Sequence, residues 1–444
     1  MALAFCGVVA MAGCVAHPPP EGLSSVRFGA VTLPQGVARS NHDLGQDFLD
    51  LTFALESGET LKTILRYETP VRVYMGSPAL APYAPDLAAL LKRIRVEAGV
   101  DIATTDDPAS AQIRIEAVPA AEIARIFPTA ACFIVPGETS WADFMRDRDS
   151  EQVRWSQQTT LQRAAIFLPP DTTPQDLRDC LNEEVTQALG PANDLYRLPD
   201  TIWNDDNFHG MATPFDMLML RTLYQPEFHS GMTRAEVAAR LGKVLDRVNP
   251  AGRGLPRTDR APESKAFATA LETALDRGAS HERRLGAAQL AAQIAAEMRP
   301  VDHRLGVALL TLGRLSLRQD PAAAAQDFSD AYDLFSRQLG PKDVRTAQAG
   351  VHLAALAVGT GQYDLAIQLA NRHIPVAEKA QNAILIAGLL SVKAEAQSAL
   401  GQADAARETR LDSLRWARYG FGDTDGALAR EQAQLAALQH LEQK

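Results

Sequence analysis

The chain has 444 residues, too many for one ordinary core, so two or three domains are expected. With 46% hydrophobic and 22% charged residues, wholesale disorder is excluded. Lys and Arg total 44 against 54 Asp and Glu, a net charge of -10, which argues against a nucleic-acid partner because phosphate binding needs a positive field. No apolar run reaches the ~18 residues of a membrane span, and no GxxxxGK[ST] phosphate loop occurs.

Residues 1–13 are almost wholly apolar or small and end Met11-Ala12-Gly13 before Cys14, followed by Val15, Ala16, His17 and three prolines. This resembles a lipoprotein signal, although no Lys or Arg precedes the apolar region. The resemblance implies removal of 1–13, a lipid on Cys14, residues 14–42 as a flexible tether, and an exported, periplasmic protein anchored to the envelope. Val15, rather than Asp, after the cysteine favours the outer membrane by analogy with enteric bacteria. Of four cysteines, Cys6 leaves with the signal and Cys14 carries lipid. Cys132 and Cys180 remain, either as a disulfide in an oxidising periplasm or as two buried thiols acting as small hydrophobes.

From 43 to 249 strand and helix signals alternate. Val71–Met75 and Gln112–Val118 alternate apolar and polar residues like half-buried strands. Asp86–Glu97 places Leu87, Leu90, Leu91 and Ile94 at helical spacing. Ala131–Val135 and Ala164–Leu168 are apolar runs stopped by proline, as buried strands are. Three helices, about 174–189, 214–224 and 233–248, announce their starts. Thr173-Pro174 with Asp176, Thr213-Pro214 with Asp216, and Thr233 with Glu236 each set a capping hydroxyl beside a carboxylate in the first turn. Residues 250–262, rich in Gly, Pro and Arg, read as a linker.

Beyond 262, Ala and Leu dominate and a repeat emerges. Gln319-Asp320-Pro321, Gly361-Gln362-Tyr363 and Gly401-Gln402-Ala403 lead to Ala324, Ala366 and Ala406, giving periods of 42 and 40. An earlier pair, about 263–277 and 281–298, reads as a degenerate first unit. The pattern over 263–420 resembles tetratricopeptide repeats at the longer spacing of kinesin-light-chain-like arrays, with 421–444 as a terminal capping helix. One helix pair cannot bury its apolar stripe alone; stacked pairs form a continuous core and a groove for a peptide or protein.

The most informative stretch is Cys180-Leu-Asn-Glu183-Glu184-Val-Thr-Gln187-Ala-Leu-Gly190, followed by Asn193-Asp194. Element order and the Gln-Ala-Leu-Gly ending resemble the active helix of zincin metallopeptidases, H-E-x-x-H-x-L-G. In that alignment the first His becomes Glu183, the general-base Glu becomes Glu184, the second His becomes Gln187 and the third falls at Asn193. The region 45–235 also resembles a proteobacterial lipoprotein family known as domain of unknown function 2927. Leu65-Arg66, Pro70–Val73, Cys180–Gly190, Asn193-Asp194, Ile202–Asp205 and Asp216–Tyr224 carry that resemblance, which implies a shape and a location but no reaction.

The expected fold is thus an α+β zincin-like N-terminal domain followed by an all-α tetratricopeptide-like domain. Zinc favours imidazole, whereas Glu183 and Gln187 at i and i+4 offer oxygens, a harder set suited to Ca²⁺ or Mg²⁺. The candidate degenerate centre is Glu183, Glu184, Gln187, Asn193 and Asp194, with no cofactor expected beyond a weak divalent cation. Asn204-Asp205-Asp206-Asn207 is also rich in oxygen ligands but lacks the glycine and distal Glu of a Ca²⁺ loop. The function expected is a non-catalytic envelope scaffold whose repeats bind another envelope protein or peptide. The alternatives are a divergent metal-dependent hydrolase whose repeats recruit substrate, and a small-ligand sensor.

Overall fold

The computed structural model describes residues 26–29, 36–206, 208–276 and 278–422. The signal segment, Cys14, Asn207 and the expected capping helix beyond 422 lie outside the described residues.

The N-terminal region is α/β. Helix α1 (Asn41–Thr52) starts at Ser40, whose hydroxyl accepts the Asp43 N–H, and buries Leu44, Phe48 and Leu51. Strands β1 (Val71–Met75), β2 (Ile102–Thr104), β3 (Ile113–Ala117), β4 (Phe133–Pro136) and β5 (Ala164–Leu168) form one sheet in the order β2-β1-β3-β5-β4. β1, β2, β3 and β5 run parallel, and β4 pairs antiparallel with β5. β5 is buried on both faces, which accounts for its unbroken apolar run. Its Ile166 and Leu168 join the main core with β1 and β3. Ala165 and Phe167 face an aromatic cluster with Phe133, Trp141 and Phe144. Helices α2 (Ala84–Arg93) and α5 (Pro174–Gln187) pack on the sheet's main-core side, with α3 (Ala120–Ile126) and α4 (Trp141–Asp147) against the aromatic side. Cys132 and Cys180 have Cα atoms 6.1 Å apart and are joined by a disulfide that ties the approach to β4 to α5. Helices α6 (Pro214–Leu223) and α7 (Arg234–Val248) follow, each opened by a threonine–carboxylate capping box.

Two segments read as loose in the sequence are packed. Val37 N–H donates to Asn249 Oδ1 at 3.0 Å, and Asn249 Nδ2 returns a bond to the Val37 carbonyl at 3.0 Å. Arg39, from the expected tether, and Arg260, from the expected linker, both bind the buried carboxylate of Asp47 on α1. Pro- and Gly-rich composition permits an extended path but does not make it mobile once buried charges hold it.

Among the described residues the C-terminal region is all helical, in four consecutive antiparallel pairs: α8 (Lys265–Leu275) with α9 (His281–Glu297), α10 (His303–Ser316) with α11 (Pro321–Gln338), α12 (Val344–Gly359) with α13 (Tyr363–Lys379), and α14 (Ala383–Ala399) with α15 (Ala403–Phe421). Ala324, Ala366 and Ala406, the recurring small residues, are all buried near the starts of α11, α13 and α15. Helices also touch through Gly350, where a side chain would run into the His373 ring.

The helical array rests on the α/β region. Arg345, fully buried at the start of α12, donates to Asp206 at 2.5 and 3.0 Å. The His303 ring bonds the Tyr196 carbonyl at 2.9 Å, and Ala383 N–H donates to Gln175 Oε1 on α5 at 3.1 Å. Arg178 of α5 stacks 4.0 Å from the Tyr419 ring centroid on α15. Phe28 lies 4.7 Å from Trp416 and 5.5 Å from Tyr419, centroid to centroid.

Candidate functional site

Helix α5 carries most of the residues singled out from the sequence. Thr173 accepts the Asp176 N–H, and Pro174 supplies a first-turn φ without wasting a donor. At the other end the chain turns at Gly190 with φ +136°. A side chain there would collide with the Leu65 carbonyl oxygen and approach Leu223 to 2.7 Å. The turn is braced by the Tyr224 hydroxyl, which donates to the Leu189 carbonyl at 3.0 Å, and by Trp203 Nε1, which donates to the Thr186 hydroxyl at 3.0 Å. The position of α5 is therefore rigidly defined.

Glu184 and Gln187 are buried; Glu183 and Asp194 are half-buried. The Gln187 amide donates to both oxygens of Asp194, at 3.0 and 2.9 Å. Glu184 lies one turn before Gln187, and its Oε2 has no hydrogen-bond partner. Asn193 points elsewhere: its amide donates to the Asp50 carbonyl at 2.8 Å. The fold thus gathers Glu183, Glu184, Gln187 and Asp194 and leaves Asn193 outside the group.

Two further carboxylates join them. Glu56, in the loop after α1, and Asp205, in left-handed backbone at φ 52°, approach Asp194 so that one oxygen from each lies within 4.8 Å of the others. Sequence reasoning missed Glu56 entirely, since nothing local marks a loop glutamate more than 120 residues from its partners. Asp205 was visible only as part of an acidic loop. Its neighbour Asp206 serves structure instead, accepting from Arg345 and from Asn204 Nδ2 at 3.1 Å.

The electrostatics follow from this crowding. Burial, then the charge of Glu56, pushes the Glu184 carboxyl up to about 8. Burial raises Asp194 well above the usual carboxylate range, helped by Glu183, Glu56 and Glu184 and opposed by the Gln187 bond. Glu183 is raised well above its range by burial and by Glu184, and Asp205 by burial and by Asp194. Glu56, exposed at the rim of the group, is raised by local desolvation and by the charge of Glu272, on α8. Like charges close together in a partly dry site disfavour ionisation.

Residues 41–243 match a family model described as protein of unknown function, DUF2927. This region is a DUF2927 domain. No curated protein matches the chain. The DUF2927 match spans α1 through most of α7 and contains every carboxylate of the group; the helical array, with Glu272, lies beyond it.

The zinc ion implied by the peptidase resemblance does not fit the DUF2927 residues found here. The positions that would offer imidazole hold Glu183, Gln187 and Asn193, and the latter two spend their amides on Asp194 and Asp50. Of the nearby histidines, His209 sits 3.0 Å from the Pro199 carbonyl and 3.3 Å from Arg345. His229 bonds the Ser230 carbonyl and borders a separate surface cavity with Glu68 and Thr160. Neither belongs to the carboxylate group.

Proposed function

We propose that the protein is an exported, lipid-anchored and non-catalytic scaffold, in which a degenerate zincin-like domain carries a helical-repeat array that binds another envelope protein or peptide. The observation behind this reading is the Gln187–Asp194 pairing: the place of a metal-binding imidazole is taken by an amide that satisfies a carboxylate. The mixed sheet with one antiparallel edge strand, followed by α5 and the turn at Gly190, supports descent from the zincin arrangement. The stacked helix pairs support the binding role. A depression between α14 and α15, lined by Ala403, Ala406, Arg407, Arg410, Leu411 and Leu414, offers apolar surface beside positive charge. Leu411 and Leu414 are each 40% exposed. No described helix is long and apolar enough to cross a membrane, so in this reading attachment depends on Cys14.

Two assays test the proposal. The purified chain, supplied with Zn²⁺, should hydrolyse neither peptide nor peptidoglycan substrates above the level of Glu184→Gln. Turnover lost in that variant would overturn the non-catalytic reading in favour of a divergent hydrolase. Metabolic labelling with a fatty-acid analogue should mark the wild type and spare Cys14→Ser; an unlabelled wild type would remove the anchor.

A further inference from the structure

We propose that Glu56, Asp194 and Asp205 form a calcium site at the seam between the DUF2927 domain and the helical array. Three carboxylates from separate stretches of chain converge with oxygens within 4.8 Å of one another. Two oxygens that each bind one ion at about 2.4 Å are at most about 4.8 Å apart, so the spacing matches calcium bond lengths. An independent observation points the same way. Glu184 is only 5% exposed, its Oε2 has no partner, and it stands one turn before Gln187 on the helix face from which Gln187 reaches Asp194. A buried carboxylate oxygen without a donor is costly, and a bound cation with its hydration water removes that cost.

The surrounding charges reinforce the argument. Other buried carboxylates are satisfied by donors: Asp47 meets Arg39, Arg197 and Arg260, Asp206 meets Arg345, and Asp216 accepts from Thr201, Thr213 and the Ile202 N–H. Among the described residues no Lys or Arg forms an ion pair with Glu56, Glu183, Glu184 or Asp194. The donors are all oxygens and come from flexible-length loops, which favours Ca²⁺ over the strict octahedron of Mg²⁺ and over Zn²⁺ with its preference for nitrogen and sulfur. The ion would tie the loop after α1 to the loop between α5 and α6, whose Asp206 is already clamped to α12 by Arg345. This goes beyond the scaffold reading, and either can fail without the other.

The test is calorimetric titration of the chelator-treated full chain with CaCl₂, paired with thermal unfolding. One Ca²⁺ per chain should bind, with Kd on the order of 10⁻⁴–10⁻³ M, the weak end of protein calcium sites, and raise the unfolding midpoint. Glu56→Gln, at an exposed position that does not threaten folding, and Asp205→Asn should each weaken binding by about tenfold or more. Glu68→Gln, outside the group, should leave it unchanged. Neither heat nor a midpoint shift up to about 5 mM Ca²⁺, binding unaltered in both Glu56→Gln and Asp205→Asn, or preferential Zn²⁺ binding lost in those variants would each overturn the proposal.

Discussion

Replacing Asp47 by Asn keeps the shape of the side chain and removes its charge. Asp47 is 0% exposed and accepts from Arg39 at 2.7 Å and from Arg260 at 3.0 and 2.9 Å, and it pairs with Arg197. Arg39 and Arg197 retain second partners in Asp200 and Asp50, whose side chains are 39% and 40% exposed. Arg260 keeps only a long contact of 3.4 Å to the Asp43 carbonyl. Breaking a buried ion pair from one side costs roughly 3–5 kcal/mol, and the surviving partners bring the expectation to about 3 kcal/mol. Asp50→Asn removes a half-exposed partner and should cost less than about 1 kcal/mol. In equilibrium urea unfolding followed by tryptophan fluorescence, with a slope of about 2–3 kcal/mol/M, Asp47→Asn should lower the midpoint by about 1 M at unchanged slope. The pH dependence supplies a second check. Burial raises the Asp47 carboxyl, but the charges of Arg197, Arg39 and Arg260 outweigh it and hold the group below its ordinary value. A depressed carboxylate contributes stability above its unfolded pKa and loses it as pH falls through the folded one, so the gap between wild type and variant should close below about pH 4. Equal, small midpoint shifts for Asp47→Asn and Asp50→Asn would refute the idea that this buried aspartate holds tether, loop and linker together.

Three further outcomes are expected. Reducing the Cys132–Cys180 disulfide, which spans 48 residues, should cost up to about 4 kcal/mol by loop entropy; unfolding of Cys132→Ser/Cys180→Ser beside reduced wild type would measure it, and no difference from oxidised protein would count against the bond. Gly190→Ala should destabilise by roughly 2–4 kcal/mol because of its φ and the collisions with Leu65 and Leu223, a change readable by differential scanning calorimetry. His352, stacked on Phe328 with neither ring nitrogen partnered, is pushed down to about 3 by burial and by the charge of Arg314. Stability held by a neutral histidine is present above pH ~6.5 and lost as pH falls toward the folded value. Acid unfolding should therefore be less steep in His352→Phe, and an identical acid limb would contradict the assignment.

The sequence made local chemistry visible. Thr173, Thr213 and Thr233 cap helices where their hydroxyl–carboxylate spacing indicated, because capping is decided within four residues. The strands at 71–75 and 164–168 and the starts of α11, α13 and α15 were legible for the same reason. β2 escaped because three residues carry no periodicity, and α1 because its start, Ser40 to His42, fell within the expected tether. Of the site, the α5 residues were legible as a contiguous motif. Their meeting with Glu56 and Asp205, and the turning of Asn193 toward Asp50, depend on how distant loops fold back. Nothing at Arg345 hinted at Asp206, since the pairing exists only once the two regions have docked.

Arg178 of α5 lies against Tyr419 near the end of α15, and Phe28 lies against the same ring from the other side of the sequence. The last described helix, made late in synthesis, therefore closes over both the first described segment and the helix bearing the carboxylates. Until it emerges, that seat is vacant. A nascent chain stalled before residue 403, or a protease cut in the turn ahead of α15, would free the segment at Phe28 and the start of α5 together, so loss of α15 should be felt hundreds of residues upstream.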